Sequence, residues 1–377
     1  MRIITILLSL FWAFSLSFAQ QRNINQNNLH ILIKDSSIVT KALSGEFDNP
    51  AVEVGLNKKF KTTTRSNYPI RVAIDPGHVA SNKNEAIIEQ RYINTPSGFF
   101  YESELTMATA LILKKQLVDR GFEVMISRED GKTALGKTYT KWFKKDFRSQ
   151  LRSDFEQGKL SQDRYKFLSR ADRTTVFHQY FKDIDFLERG YKINAFHPDV
   201  TVVIHYNATE FNNRPDIYAP KVEYNYSVAF VPGGFTNQEL QLQGQFDDFI
   251  RLASSDAVAK SVQLSKYIID EFDRKLHSPP LLPQDLPDLW YLKKYSTYTG
   301  TPGIYGRNLY LTRAIQSPVC YGECLLQNNS SEMELLSKKD LKVGKHRVPS
   351  RIADVADCYY TGIIKYFNDN GWLAKEK

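Results

Sequence analysis

RVAIDPGH, residues 71–78, decides the fold: a short, largely apolar run is stopped by Pro76-Gly77, and a histidine stands just beyond the turn. This reads as a strand with a polar side chain at its carboxyl end. Outward from it, residues 102–120 place Leu105, Ala108, Leu111, Ile112, Lys115 and Leu117 at near-helical spacing, and Gly121 is placed to end that helix. FEVMISR then reads as a second strand. Strand, helix and strand in succession are the mark of a layered α/β fold. Further on, residues 186–196 read as a helix, TVVIH at 201–205 as a buried strand, and KVEYNYSVAFV as a strand ending at Pro232-Gly233. An amphipathic helix over 256–276, a strand around 317–323 and a closing helix over 350–367 complete the pattern. The expected architecture is a three-layer α/β/α domain, hydrolase-like, with a mostly parallel or mixed central sheet, over residues 69–370.

Residues 131–185 interrupt this alternation with a polar, aromatic and basic stretch that looks helical and carries no core strand. It reads as an insertion, either a solvated helical hairpin or an element bordering a substrate groove. Residues 20–68, rich in Gln, Asn, Thr and Lys, read as a linker or wrapping arm. Ahead of them, Arg2, an apolar run from Ile3 to Phe18, and Ser17 and Ala19 form the pattern of an export signal cleaved after Ala19. That run is shorter than the ~20 residues a spanning helix needs. The expectation is an exported protein, periplasmic or extracellular, with no stable membrane insertion after cleavage. Cys320, Cys324 and Cys358 are too few for a disulfide scaffold. The net charge of +8 reads as a mild, dispersed surplus that suits an anionic polymer and does not single out nucleic acid.

His78 follows the first strand, Glu102 opens a helix and His205 closes TVVIH. Sites in open α/β sheets form where the carboxyl ends of strands converge. Two imidazoles and one carboxylate suit zinc, and three protein ligands leave a fourth position open. Glu323, at the end of the last strand, is the candidate general base. The residues lie 24, 103 and 118 positions apart in succession, so no local motif supports them. Read alone, they are compatible with a metallohydrolase, but a lone strand-end His is more often structural or exposed, and a Glu at a helix start usually complements the macrodipole.

Four blocks go further when taken in order. RVAIDPGH, then YESELTMATALILKKQLVDRGFEVMISR, then ERGYKINAFHPDVTVVIHYNATE, and finally LTRAIQSPVCYGECLLQNNSSEMELL together resemble the zinc-dependent N-acetylmuramoyl-L-alanine amidases of the amidase-3 family of peptidoglycan hydrolases. The resemblance implies His78, Glu102 and His205 as zinc ligands and Glu323 as catalytic acid/base, with Glu104 the rival to Glu102. It also implies peptidoglycan as substrate and Asp75 and Asn207 as buttresses of the neighbouring histidines. A regulatory protein acting on the insertion is expected on the same basis. The chain departs from the family where Val79 and Ala80 replace glycines after His78, and where Leu325 stands in place of a glycine after Glu323. These departures concern the groove's shape more than the ligands. Two other readings remain: a catalytically silent wall-binding or regulatory protein that keeps the fold, and a zinc carboxypeptidase-like peptidase on a related α/β scaffold.

Overall fold

The computed structural model describes residues 30–32, 69–209, 214–285 and 289–373. The export-signal segment lies outside them. In chain order the strands are β1 His30–Leu32, β2 Arg71–Pro76, β3 Tyr92–Thr95, β4 Gly98–Tyr101, β5 Glu123–Ile126, β6 Val200–Asn207 and β7 Val228–Val231. They continue as β8 Gly234–Thr236, β9 Thr297–Tyr298, β10 Ile304–Gly306, β11 Val319–Leu326, β12 Leu341–Val343 and β13 His346–Val348. Seven of them form the central sheet in the order β5-β2-β6-β11-β7-β10-β9. β5, β2, β6 and β11 run parallel, whereas β7 meets β11 antiparallel, so the sheet is mixed.

Residues in β2, β6 and β11 alternate between two apolar layers, as the two-residue period of a strand requires. Val72, Ile74, Val202, Ile204, Cys320 and Cys324 face the main core. That core is built with the helices Glu102–Asp119, Ala257–Glu271 and Arg351–Asp369. Ala73, Val203 and Val319 face the other way, against Ile193 of the Lys182–Phe196 helix and Leu311 of the Tyr310–Ala314 helix. The result is the expected α/β/α sandwich. The three cysteines are buried and free, with Cys320 and Cys324 on the sheet face that looks away from the sequence-predicted site.

Differences from the expected elements have local causes. The expected strand over 221–231 shrinks to Val228–Val231. Ahead of it, the Asn329 amide donates to the carbonyls of Val222, Glu223 and Tyr224 at 3.2–3.3 Å. Asn225 meanwhile accepts from the Tyr226 and Leu326 amides. Side chains thus take the place of a ladder. The segment between the first helix, Lys83–Glu89, and Glu102 forms an antiparallel hairpin, β3–β4, turned at Pro96-Ser97. The amphipathic helix expected over 256–276 is α-helical over Ala257–Glu271 and ends in a π-turn, Phe272–Leu276.

The insertion is not a solvated hairpin. Its helices Tyr139–Lys145, Phe147–Glu156, Gln162–Arg170 and Arg173–Val176, with the π-turn Phe177–Phe181, close around a core of their own. Tyr139, Trp142, Phe147, Leu151, Leu168, Val176, Phe177 and Phe181 are buried there together with Val79 of the β2 loop. β1, from the expected arm, pairs antiparallel with β8. Among the described residues no helix is long and apolar enough to cross a membrane.

Candidate metal centre

β2, β6 and β11 end side by side, and the chemistry sits at those ends. Glu323 lies opposite His205 in the β11–β6 register, so both side chains leave the same face of the sheet. Beyond β2 the chain turns through Gly77 into His78, which adopts φ 63°, a conformation uncommon outside glycine. Gly77 is required by contact: a Cβ there would lie 2.4–2.8 Å from the His205 ring.

The turn is held by a dense set of bonds. Arg189 donates to the carbonyls of Pro76 and His78, each at 2.8 Å. Arg128 donates to Pro76 and Gly77, and Thr106 to Gly77 at 2.7 Å. The amides of Val79 and Ala80 donate to Glu89 at 3.0–3.3 Å. The two residues that stand where the resemblance expected glycines therefore seat the loop. Val79 packs into the insertion, and Ala80 into a small cluster with Ala86 and Tyr92.

Glu102, at the first position of its helix and buried, stands between the two histidines. One carboxylate oxygen lies 3.0 Å from His78 Nε2 and the other 3.0 Å from His205 Nδ1. The second also accepts the Tyr206 amide. His78 Nδ1 is held at 3.0 Å by Glu89, which leaves Nε2 facing the cluster. One donor atom from each of His78, Glu102 and His205 lies within 4.8 Å of the others. The two imidazole rings meet edge to face at 4.8 Å, and Tyr321 stacks on His205 at 4.4 Å. Glu104, the rival ligand, instead pairs with Lys339 at 2.7 Å.

The donor set fits a divalent cation of the zinc type: two imidazoles and a carboxylate, converging in a buried place, with one imidazole nitrogen fixed by an outer carboxylate. Burial alone would lower the pKa of His78, but the carboxylates of Glu102 and Glu89 raise it to about 9. Glu102 is driven the opposite way: burial opposes its charge, and the two histidines hold it below the usual carboxylate range. Burial lowers His205. Glu323 is raised to about 8, by burial first and then by the charge of Glu102.

The side chains of Asp75 and Asn207, expected to buttress the neighbouring histidines through outer or backbone hydrogen bonds, do not touch the imidazoles themselves. Asp75 accepts from Ser127 and pairs with Arg189 at 3.0 Å, so it reaches His78 only through the arginine. The Asn207 side chain accepts the Ala208 amide at 2.8 Å, a local turn bond. The outer positions belong to Glu89, Arg189 and Tyr321, which the sequence reading did not single out. Glu89 has no spacing signal toward His78. Arg189 stands in the stretch ERGYKINAF, where its position carries no mark of a role.

A family model described as N-acetylmuramoyl-L-alanine amidase matches residues 72–347. Comparison with curated proteins found no match. Among solved structures, the CwlD amidase of Clostridioides difficile, in complex with the GerS lipoprotein, is 17% identical, with a TM-score of 0.43 over 80% of this chain and 99% of that one. The amidase Ami1 of Mycobacterium smegmatis is 17% identical, with a TM-score of 0.43 over 80% and 97%. The catalytic domain of CwlV from Bacillus (Paenibacillus) polymyxa is 15% identical, with a TM-score of 0.38 over 79% and 98%.

Proposed function

The chain belongs to the N-acetylmuramoyl-L-alanine amidase family, and from that premise we propose that it is a zinc enzyme of cell-wall remodelling or cell separation. Its reaction is hydrolysis of the amide joining N-acetylmuramic acid to L-alanine of peptidoglycan stem peptides. The observation that carries this reading is the convergence of His78, Glu102 and His205 beside a carboxyl group, Glu323, raised to about 8. Zinc held by His78, Glu102 and His205 would supply Lewis acidity to the scissile carbonyl and to a nucleophilic water.

This chain's own residues supply the rest. Glu323 takes a proton from the attacking water as the new C–O bond forms. It delivers that proton to the alanine nitrogen as the C–N bond breaks, leaving a muramic carboxylate and a free amino terminus. A group that titrates near neutral pH suits both halves of that exchange. Glu89 holds the His78 ring, Arg189 holds its backbone, and Tyr321 covers one face of His205. Because the substrate is a wall polymer, the reading includes export to the periplasm or cell exterior. The insertion, seated on Val79 beside His78, is the place where a regulatory protein would act.

The test is digestion of purified murein, with mass spectrometry of the soluble products with and without a chelator. New L-alanine amino termini that disappear with chelation support the proposal, and cleavage within the peptides favours a peptidase. Absence of products from metal-loaded protein would leave the silent wall-binding alternative. Glu323→Gln should keep its metal and lose about 10²–10⁴-fold in turnover, whereas His78→Ala should lose both.

A further inference from the structure

Several lysines on this protein's helices are paired with an acid one turn away. Lys115 with Asp119, Lys260 with Asp256 and Lys266 with Asp270 are ion pairs of 2.5, 2.7 and 2.6 Å, and Lys192 reaches Glu188 at 3.6 Å. The first two helices of the insertion depart from that habit. Lys141, Lys144, Lys145, Arg148 and Arg152 are all exposed. Among the described residues, none has an acidic partner within 4.0 Å.

Within each helix the i,i+4 neighbours include like charges, Lys141 with Lys145 and Arg148 with Arg152, while Lys144 and Arg148 are separated by the break at Asp146 and Arg152 has an acid, Glu156, one turn on. Like-charge pairs destabilise a helix. Packing does not require them, since the opposite faces bury Trp142, Phe147 and Leu151. A stripe that weakens its own helices and makes no compensating contact inside the molecule is suited to a partner outside it. The charge balance agrees, and corrects the expectation of a dispersed surplus. Residues 131–185 hold thirteen Lys and Arg against seven Asp and Glu, six of the eight net positive charges of the whole chain.

The position of these helices narrows the partner. The Thr140 amide, at the start of the first helix, donates to Glu85 at 2.7 Å. Glu85 shares the Lys83–Glu89 helix with Glu89, which holds His78. The insertion's core also takes in Val79, the residue after His78. The basic helices are thus fixed to the loop that carries a candidate ligand, by packed aromatic rings that leave little freedom between them. Binding a single strand of nucleic acid needs exposed aromatic platforms, and lying on a membrane needs exposed apolar residues among the cations. On these two helices Trp142 and Phe147 point into the core instead, and the exposed Phe167 belongs to a different helix, Gln162–Arg170.

We propose that this face docks the carboxylate-bearing stem peptides of the same polymer whose amide is cut at the metal centre, holding the anionic wall against the insertion while one strand enters the site. The inference rests on the amidase reading for the identity of the polymer. Its readout is binding, so the two fail separately.

The experiment uses the full chain carrying Glu323→Gln, so that the polymer stays intact, and measures co-sedimentation with purified sacculi at low and high salt. Replacing Lys141, Lys144, Lys145, Arg148 and Arg152 together by Gln should weaken binding at least about tenfold at low salt and flatten its salt dependence. Replacing Lys115, Lys260 and Lys266 by Gln, elsewhere on the surface, should leave it unchanged. Sacculi whose carboxyls have been converted to methylamides should bind no better to the parent chain than to the five-fold variant. The five-fold variant should melt no lower than its parent, because it relieves like-charge pairs. With Glu323 restored, it should cleave a soluble muramoyl-peptide at the parent rate. Failure of the parent to cleave that compound overturns the amidase reading alone. Equal sacculus binding by parent and five-fold variant, undiminished binding to methylamidated sacculi, or tighter binding to phosphatidylglycerol vesicles or poly-dT than to sacculi would each overturn the docking proposal.

Discussion

The guanidinium of Arg189 donates to the backbone carbonyl of His78 at 2.8 Å while the same group pairs with Asp75 at 3.0 Å and with Asp185 at 2.7 Å. All three charged groups are buried. One arginine therefore fixes the left-handed backbone of a candidate ligand and neutralises two carboxylates. Asp185 also accepts the Ala134 amide at 2.7 Å, so the two ends of the insertion meet at this arginine. Arg189→Met leaves both carboxylates buried without their cation and should cost about 3–5 kcal/mol in urea unfolding. Arg189→Lys keeps the charge but not the fork that reaches His78, and should lose metal affinity at a smaller cost in stability. Full metal affinity in the lysine variant would show that the His78 backbone stands without the arginine.

Gly77 leaves no room for a methyl group. The ring of His205 occupies that space, and the Gly77 carbonyl is tied to Thr106 and Arg128, so the backbone cannot withdraw. Gly77→Ala should push His205 out of the cluster. The expected result is a loss of about 1–3 kcal/mol in stability, with metal content and turnover falling much further than that loss explains. Metal analysis beside circular dichroism checks it. A variant that binds metal normally would mean that the imidazole can shift without leaving the site.

The layered fold was legible because its signals are local: apolar runs such as TVVIH, turns such as Pro76-Gly77, and a helix of clear period at 102–120. His78, Glu102 and His205 were legible only through ordered blocks, since separations of 24 and 103 positions hide any geometric relation. The partner of Asp75 is hidden in the sequence: its carboxylate points to Arg189, 114 residues away, and reaches the His78 backbone only through that arginine. Glu89 was invisible because the contact depends on how the Lys83–Glu89 helix folds back over the β2 loop. The strand expected over 221–227 failed for a similar reason: the amide of Asn329, remote in sequence, captures carbonyls that apolar alternation had assigned to a sheet.

Glu89 tests whether outer contacts matter to the metal. Its carboxylate accepts from His78 Nδ1 and from the amides of Val79 and Ala80. Its pKa is lowered, since burial is outweighed by His78 and these donors. Glu89→Gln can keep one acceptor for the loop but loses the charge that makes His78 a better ligand. Metal affinity, measured by competition with a chromophoric chelator, should fall about 10–100-fold. Glu104→Gln, which removes only the surface pair with Lys339, should leave it unchanged.

Metal uptake should expel protons in the neutral range. In the metal-free chain His78 is raised to about 9 and Glu323 to about 8, so both are largely protonated at pH 7. A cation needs a neutral imidazole at His78 and offsets the Glu102 charge that keeps Glu323 protonated. Binding at pH 7 should therefore release up to one proton from each group, and the release should fade as pH rises past about 9. The sign for stability follows. Between the ordinary histidine value of 6.5 and about 9, the folded metal-free chain holds protons that the unfolded chain has given up. Its stability should fall as pH rises through that window, while saturating metal should remove or reverse the slope. Calorimetric titrations in buffers of different ionisation heat count the protons, and melting curves at several pH values, with and without zinc, check the slope. Proton release that does not vary with pH would place His78 outside the metal's reach.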